Sequence, residues 1–79
     1  MKNKLITFEL REDKDQVDIH LNKEGIDYMI KILEELRTGN TNDHFHLMTN
    51  SWGGDQLSED KQSESSELLN LVTVYFWEK

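Results

Sequence analysis

Between Asn22 and Gly39 the chain carries a single amphipathic helical stripe, and everything else apolar in it alternates. Ile26, Met29, Ile30, Leu33 and Leu36 recur at i, i+3 and i+4, the spacing of one buried face on a helix of about four turns. Asn22 stands at the expected N-cap, and Glu24 and Asp27 suit the positive end of the helix dipole. Gly39 after Arg37 and Thr38 is a stop signal, and "GNTN" (39–42) continues the turn. One helix with one apolar face needs a flat partner, and the alternating segments supply it.

"KLITFEL" (4–10) places Leu5, Thr7 and Glu9 on one face of a strand and Ile6, Phe8 and Leu10 on the other. After the charged turn "REDKD" (11–15), "QVDIHL" (16–21) alternates again, with Val17, Ile19 and Leu21 inward and Asp18 and His20 outward. The two form an antiparallel hairpin. "HFHLM" (44–48) puts Phe45 and Leu47 opposite His44, His46 and Met48. "LLNLVTVYFW" (68–77) reads as one strand, with Val72, Val74 and Phe76 inward and Leu71, Thr73, Tyr75 and Trp77 outward.

The order strand, strand, helix, strand, strand predicts an α+β domain spanning residues 1–79: a four-stranded, mostly antiparallel sheet with one α-helix across one face. The other face is expected to lie uncovered and to carry Thr7, Asp18, His20, His44, His46, Thr73, Tyr75 and Trp77. Residues 49–66 are the one long irregular segment. A connection of that length in a small domain tends to be functional or disordered.

Seventy-nine residues give a modest core, and the absence of cysteine removes disulfides and thiolate zinc sites as reinforcement. The start is too polar for a signal peptide and no stretch approaches membrane-spanning length, so a cytoplasmic protein is expected. Sixteen acids against nine bases, a net charge of −7, disfavour direct nucleic-acid binding and favour a basic protein partner. Taken by itself, the charge is better explained by solubility alone.

His44 and His46 point the same way from one strand, and His20 could join them if the strands are neighbours. Together with Asp43 or Asp55 they are the candidate metal ligands, but His-x-His lacks a third ligand at fixed spacing. The default for these histidines is structural, a ring nitrogen bonded to the following loop. In "SWGGDQ" (51–56), Gly53 and Gly54 let the chain turn sharply after Trp52, but no phosphate-binding glycine pattern surrounds them. Trp52 either folds back on the sheet or faces a partner. Ser58, followed by Glu59 and Asp60, is a candidate cap for a single helical turn. Asp55, Glu59, Asp60, Glu64 and Glu67 oppose only Lys61. An aromatic residue beside such an acidic patch is the composition of a site for a basic protein. Neither a Ser-His-Asp arrangement nor a cofactor motif is present, so no enzyme and no cofactor are expected.

The arrangement "DHFHLMT-SWGG--LSE-KQ", followed by an Asn-x-Val segment ending in "VYFW", resembles a family of bacterial immunity proteins, the one numbered thirty-two. The resemblance covers residues 43 to 77. It implies a cytoplasmic inhibitor that binds a cognate toxin, often a nuclease, at its active site or a neighbouring surface. His44, His46, Thr49, Ser51, Trp52, Gly53, Gly54, Leu57, Ser58 and Glu59 carry the motif and either maintain the fold or bind. Asn50 stands where a stiffer residue such as proline is expected, which implies a looser turn. On this reading Trp52 anchors the toxin, and Asp55, Glu59 and Asp60 supply charge in place of nucleic-acid phosphates. Two rivals follow from the residues themselves. One is a small metal-binding protein using His20, His44 and His46; the other is a structural or regulatory homodimer burying the exposed sheet face.

Overall fold

A computed structural model describes residues 3–39 and 43–77. The expected hairpin is present: β1 (Ile6–Leu10) pairs antiparallel with β2 (Val17–Leu21), Phe8 opposite Ile19. Its turn closes with the Arg11 N–H donating to the Gln16 carbonyl at 2.9 Å. The helix α1 (Lys23–Thr38) starts and stops where its caps predict. Asn22 Oδ1 accepts the Gly25 N–H, and Gly39 takes the left-handed conformation with its N–H on the Leu36 carbonyl. Asn22 Oδ1 also accepts the Leu5 N–H at 2.9 Å, so the cap fastens the helix to the strand before it. The rest of the turn expected over 39–42 lies outside the described residues.

The buried stripe of α1 is rotated from the one expected. Gly25, Ile32 and Leu36 are buried, with Tyr28 and Met29 packed beside them, while Ile26, Ile30 and Leu33 are exposed. Gly25 sets the rotation. A Cβ there would stand 2.1 Å from the Leu5 carbonyl oxygen, so the helix approaches the sheet at the one residue without a side chain.

The single four-stranded sheet is replaced by two antiparallel sheets. One has the order β2-β1-β4, with β4 only Glu67–Leu68; the other pairs β3 (His44–Met48) with β5 (Leu71–Tyr75). The segment read as one strand over 68–77 is thus broken. Leu69 donates to the Phe8 carbonyl at 2.9 Å, the Asn70 carbonyl accepts the Thr49 N–H at 3.1 Å, and the chain changes partner between them. Within β5, Val72 and Val74 pack on the core as expected and Phe76 is half-buried beyond it, while Leu71, Tyr75 and Trp77 are exposed.

Ile6 and Phe8 of β1, Ile32, Leu47 of β3 and Leu57 form the core. Val17, Ile19 and Leu21 share a sheet face with Ile6 and Phe8, yet all three are exposed, contrary to the inward placement expected. The helix covers β1 and leaves the apolar side of β2 open.

The opposite face of β1, expected to be uncovered, is buried: Thr7 and Glu9 have no accessible surface. Residues 58–66 cover it. The Glu9 carboxylate accepts the N–H groups of Gln62 at 2.8 Å and Ser63 at 3.1 Å, together with the Thr7 hydroxyl at 2.8 Å. Burial pushes this carboxyl up, but the hydrogen bonds from Gln62, Thr7 and Ser63, with His20 nearby, outweigh it and hold it below its ordinary value. The helical turn expected at Ser58 does not form. Instead Ser58 Oγ accepts the Ile6 N–H and donates to the Lys4 carbonyl, and its N–H donates to the Ile6 carbonyl at 2.8 Å. The long loop is an ordered second layer.

Candidate partner-binding surface

The motif centred on "TNSWGG" is a turn built on Thr49. This residue is fully buried, and its carbonyl accepts the N–H groups of both Trp52 and Gly54 at 3.0 Å. Asn50–Trp52 form one 3-10 turn, which Gly53 ends at φ 96°. Only glycine adopts that conformation without strain. Gly54 lies against β3: a Cβ there would meet the Met48 carbonyl oxygen and Cβ at 2.7 Å. Gln56 Oε1 and the Leu57 N–H then complete the edge of Met48, accepting its N–H at 3.0 Å and donating to its carbonyl at 3.1 Å. At Asn50, where a looser turn is expected, these bonds flank the residue on both sides.

Trp52 does not fold back on the core. Its side chain is 57% exposed at the head of this fixed turn. Glu59 reaches back to the same turn and accepts the Ser51 N–H at 2.8 Å. Hydrogen bonding from Ser51 holds its carboxyl below its ordinary value against a smaller opposing effect of desolvation. Asp55 and Asp60 are exposed, and their carboxylates make no hydrogen bond or ion pair among the described residues. The Asp55 backbone carbonyl accepts Lys4 Nζ at 3.2 Å. Trp52, Asp55, Glu59 and Asp60 therefore occupy one ordered eleven-residue stretch, 50–60, with an exposed indole and exposed acids.

The outer face of the smaller sheet is also open. His44 stacks on Tyr75 with ring centroids 5.3 Å apart and meets His46 edge-on at 5.2 Å. Contrary to expectation, these ring nitrogens do not bond the following loop: His44 Nδ1 lies 2.8 Å from Asp43 Oδ1, and His46 Nδ1 lies 2.9 Å from Thr73 Oγ1. The His44 hydrogen bond holds the Asp43 carboxyl below its usual value. His20 belongs to the other sheet, where its Nε2 stands 3.9 Å from Glu9 Oε1. The structure thus separates the three histidines, and no group of three His, Cys, Asp or Glu able to hold a metal ion occurs among the described residues.

Most motif residues turn out to hold the fold: Thr49 and Leu57 in the core, Gly53 and Gly54 in the turn, Ser58 on β1, Glu59 on Ser51. Asn70 and Gln56, which sequence reasoning passed over, complete the same framework through Thr49 and Met48. Their partners lie 21 and 8 residues away, and neither carries a local signal. Among the described residues no helix is long and apolar enough to cross a membrane.

The sequence model of the family described as Immunity protein 32 matches residues 16–73. No curated protein and no solved structure matches the chain. The matched span runs from the second hairpin strand through the helix, the Trp52 turn and the cover over β1 into β5, which is more than half of the chain. This chain belongs to the Immunity protein 32 family, as its "SWGG" motif led us to expect.

Proposed function

We propose that this protein neutralises a cognate toxin by binding it, through the surface formed by Trp52, Asp55, Glu59 and Asp60. The observation that carries the reading is the exposure of Trp52 on a turn that Thr49, Gly54 and Glu59 hold in place. A large rigid aromatic held in place without being buried loses little conformational freedom on binding and can bury its full area against a partner. In the same stretch of chain, Asp55 and Asp60 offer carboxylates free of internal partners among the described residues, and the net charge of −7 extends the field. A toxin with a basic groove, such as a nuclease, fits this chemistry. Acids would occupy the place of phosphates and steer association, and the indole would close the contact. Binding, with no catalysis and no cofactor, is sufficient for this role.

The test is protection. The chain is used to capture its partner from lysate of its own cells. The captured protein is then expressed alone and together with wild type, Trp52→Ala or Asp55→Asn/Asp60→Asn. Toxicity of the partner alone, relieved by wild type and less well by the variants, is the expected result. Full relief by both folded variants would move the site elsewhere.

A further inference from the structure

The most exposed apolar surface away from Trp52 and the smaller sheet lies along β2 and the flank of α1. Val17, Ile19 and Leu21 on the strand, and Ile26, Ile30 and Leu33 on the helix, are each between 37% and 55% exposed. Helical residues advance by about 100°, so Ile26, Ile30 and Leu33 lie about a quarter turn from the buried Gly25, Ile32 and Leu36. The other flank, with Tyr28 and Glu35, lines a cleft with Phe45 and Leu47 of β3. The apolar flank therefore faces away from β3, toward the β2 side of the sheet.

β2 is an edge strand, and its backbone phase is set by two hydrogen bonds. Arg11 donates to Gln16 at one end of the hairpin, and Asn22 donates to Leu5 at the other, at 3.2 Å. In an antiparallel ladder the residues facing the partner alternate. Gln16, Asp18, His20 and Asn22 thus direct their N–H and C=O groups at β1, and Val17, Ile19 and Leu21 direct theirs outward. The three residues with outward-facing backbone are the three with exposed apolar side chains. An open edge of this kind is a template for another strand.

We propose that two copies of this chain pair through β2, antiparallel and two-fold symmetric about Ile19, into a continuous sheet of order β4-β1-β2-β2-β1-β4. The register is self-complementary at every position. Ile19 faces Ile19 and Val17 faces Leu21 of the second copy, all in hydrogen-bonded positions, giving about six inter-chain backbone bonds. Asp18 falls opposite His20 of the second copy, a carboxylate against an imidazole that carries an N–H in either tautomer. No like charges stand directly opposite one another along the seam. Above it, the flanks carrying Ile26, Ile30 and Leu33 from the two helices close over the paired valines, isoleucines and leucines. The seam is separate from the Trp52 turn, so a dimer would present two toxin-binding surfaces.

The experiment is sedimentation of the purified chain over micromolar to submillimolar concentration, with Ile19→Lys and Ile19→Cys alongside. Wild type is expected at twice the monomer mass, more strongly so in high salt, because screening reduces repulsion between two acidic copies. Ile19→Lys sets two ammonium groups face to face and is expected to halve the mass while keeping the helical circular dichroism. Since the chain has no native cysteine, Ile19→Cys is expected to cross-link on mild oxidation where Trp52→Cys does not. The cross-link decides the matter if Ile19→Lys fails to fold. A concentration-independent wild-type monomer overturns the proposal, as does a dimer indifferent to Ile19→Lys that does not cross-link through position 19. A monomer whose toxin capture is abolished by Ile19→Lys also overturns it, and would assign the edge to the toxin.

Discussion

Thr49 is joined to Asn70 twice: its N–H donates to the Asn70 carbonyl at 3.1 Å, and its hydroxyl donates to Asn70 Oδ1 at 2.7 Å. The pair stands where the last segment leaves β1 for β3, so it couples the kink between the two sheets to the turn that presents Trp52. Thr49→Val keeps the shape and removes the hydroxyl, leaving the Asn70 oxygen without its donor. The expected loss is about 1–3 kcal/mol of folding stability, read as a lower urea midpoint with an unchanged slope.

Glu9 provides the second test. Its folded carboxyl is held below the ordinary value, so its contribution is present above the unfolded value, about 4.3, and is lost as pH falls through the folded one. Glu9→Gln replaces a charged acceptor of two loop N–H groups and is expected to cost about 2 kcal/mol at neutral pH. The gap between wild type and variant should narrow as urea midpoints are followed down from neutral pH into the acid range. A gap that stays constant would mean the charge of Glu9 does not matter to the cover.

Gly25→Ala should also destabilise. Alanine gains up to about 1 kcal/mol in an ordinary helix interior, but here its Cβ would press on the Leu5 backbone carbonyl. Relief requires the helix to move off the sheet, at a cost of about 1–3 kcal/mol or more. A lowered thermal midpoint is expected, and a raised one would show that the helix is not seated on Gly25.

Trp52→Ala should leave stability nearly unchanged, because the indole is exposed, while weakening toxin binding by about 2 kcal/mol or more. Titration of the captured partner measures this directly. Asp55→Asn with Asp60→Asn should act chiefly on the association rate, and that effect should fade as salt is raised.

What could be read in advance was what the chain decides locally. Asn22 and Gly39 bound the helix because a cap acts over three or four residues, and alternation put Phe8 and Ile19 on the apolar face of an antiparallel hairpin. The family was legible in "SWGG" for a related reason, since a turn that needs Gly53 at positive φ and Gly54 against Met48 restricts its own residues. The helix's rotation was not legible, because it depends on a carbonyl at Leu5, twenty residues before Gly25. Nor was the burial of Glu9: a charged residue in an alternating strand reads as solvent-facing until the N–H groups of Gln62 and Ser63 arrive from more than fifty positions away. The break at Asn70 was hidden for the same cause. At the site, Trp52 could be singled out by type and setting, whereas the use of Glu59 to brace Ser51 needed the folded turn.

β1 comes first in the chain yet lies at the centre of its sheet, and its far edge and second face are completed by Ser58, Gln62, Ser63 and Leu68. A growing chain that has reached residue 56 holds a hairpin and a helix but lacks Leu57, the cover over Thr7 and Glu9, and both later strands. Bonds that span fifty residues close slowly and late. β1 therefore gains its far edge and its second face only after residues 57–68 have been made.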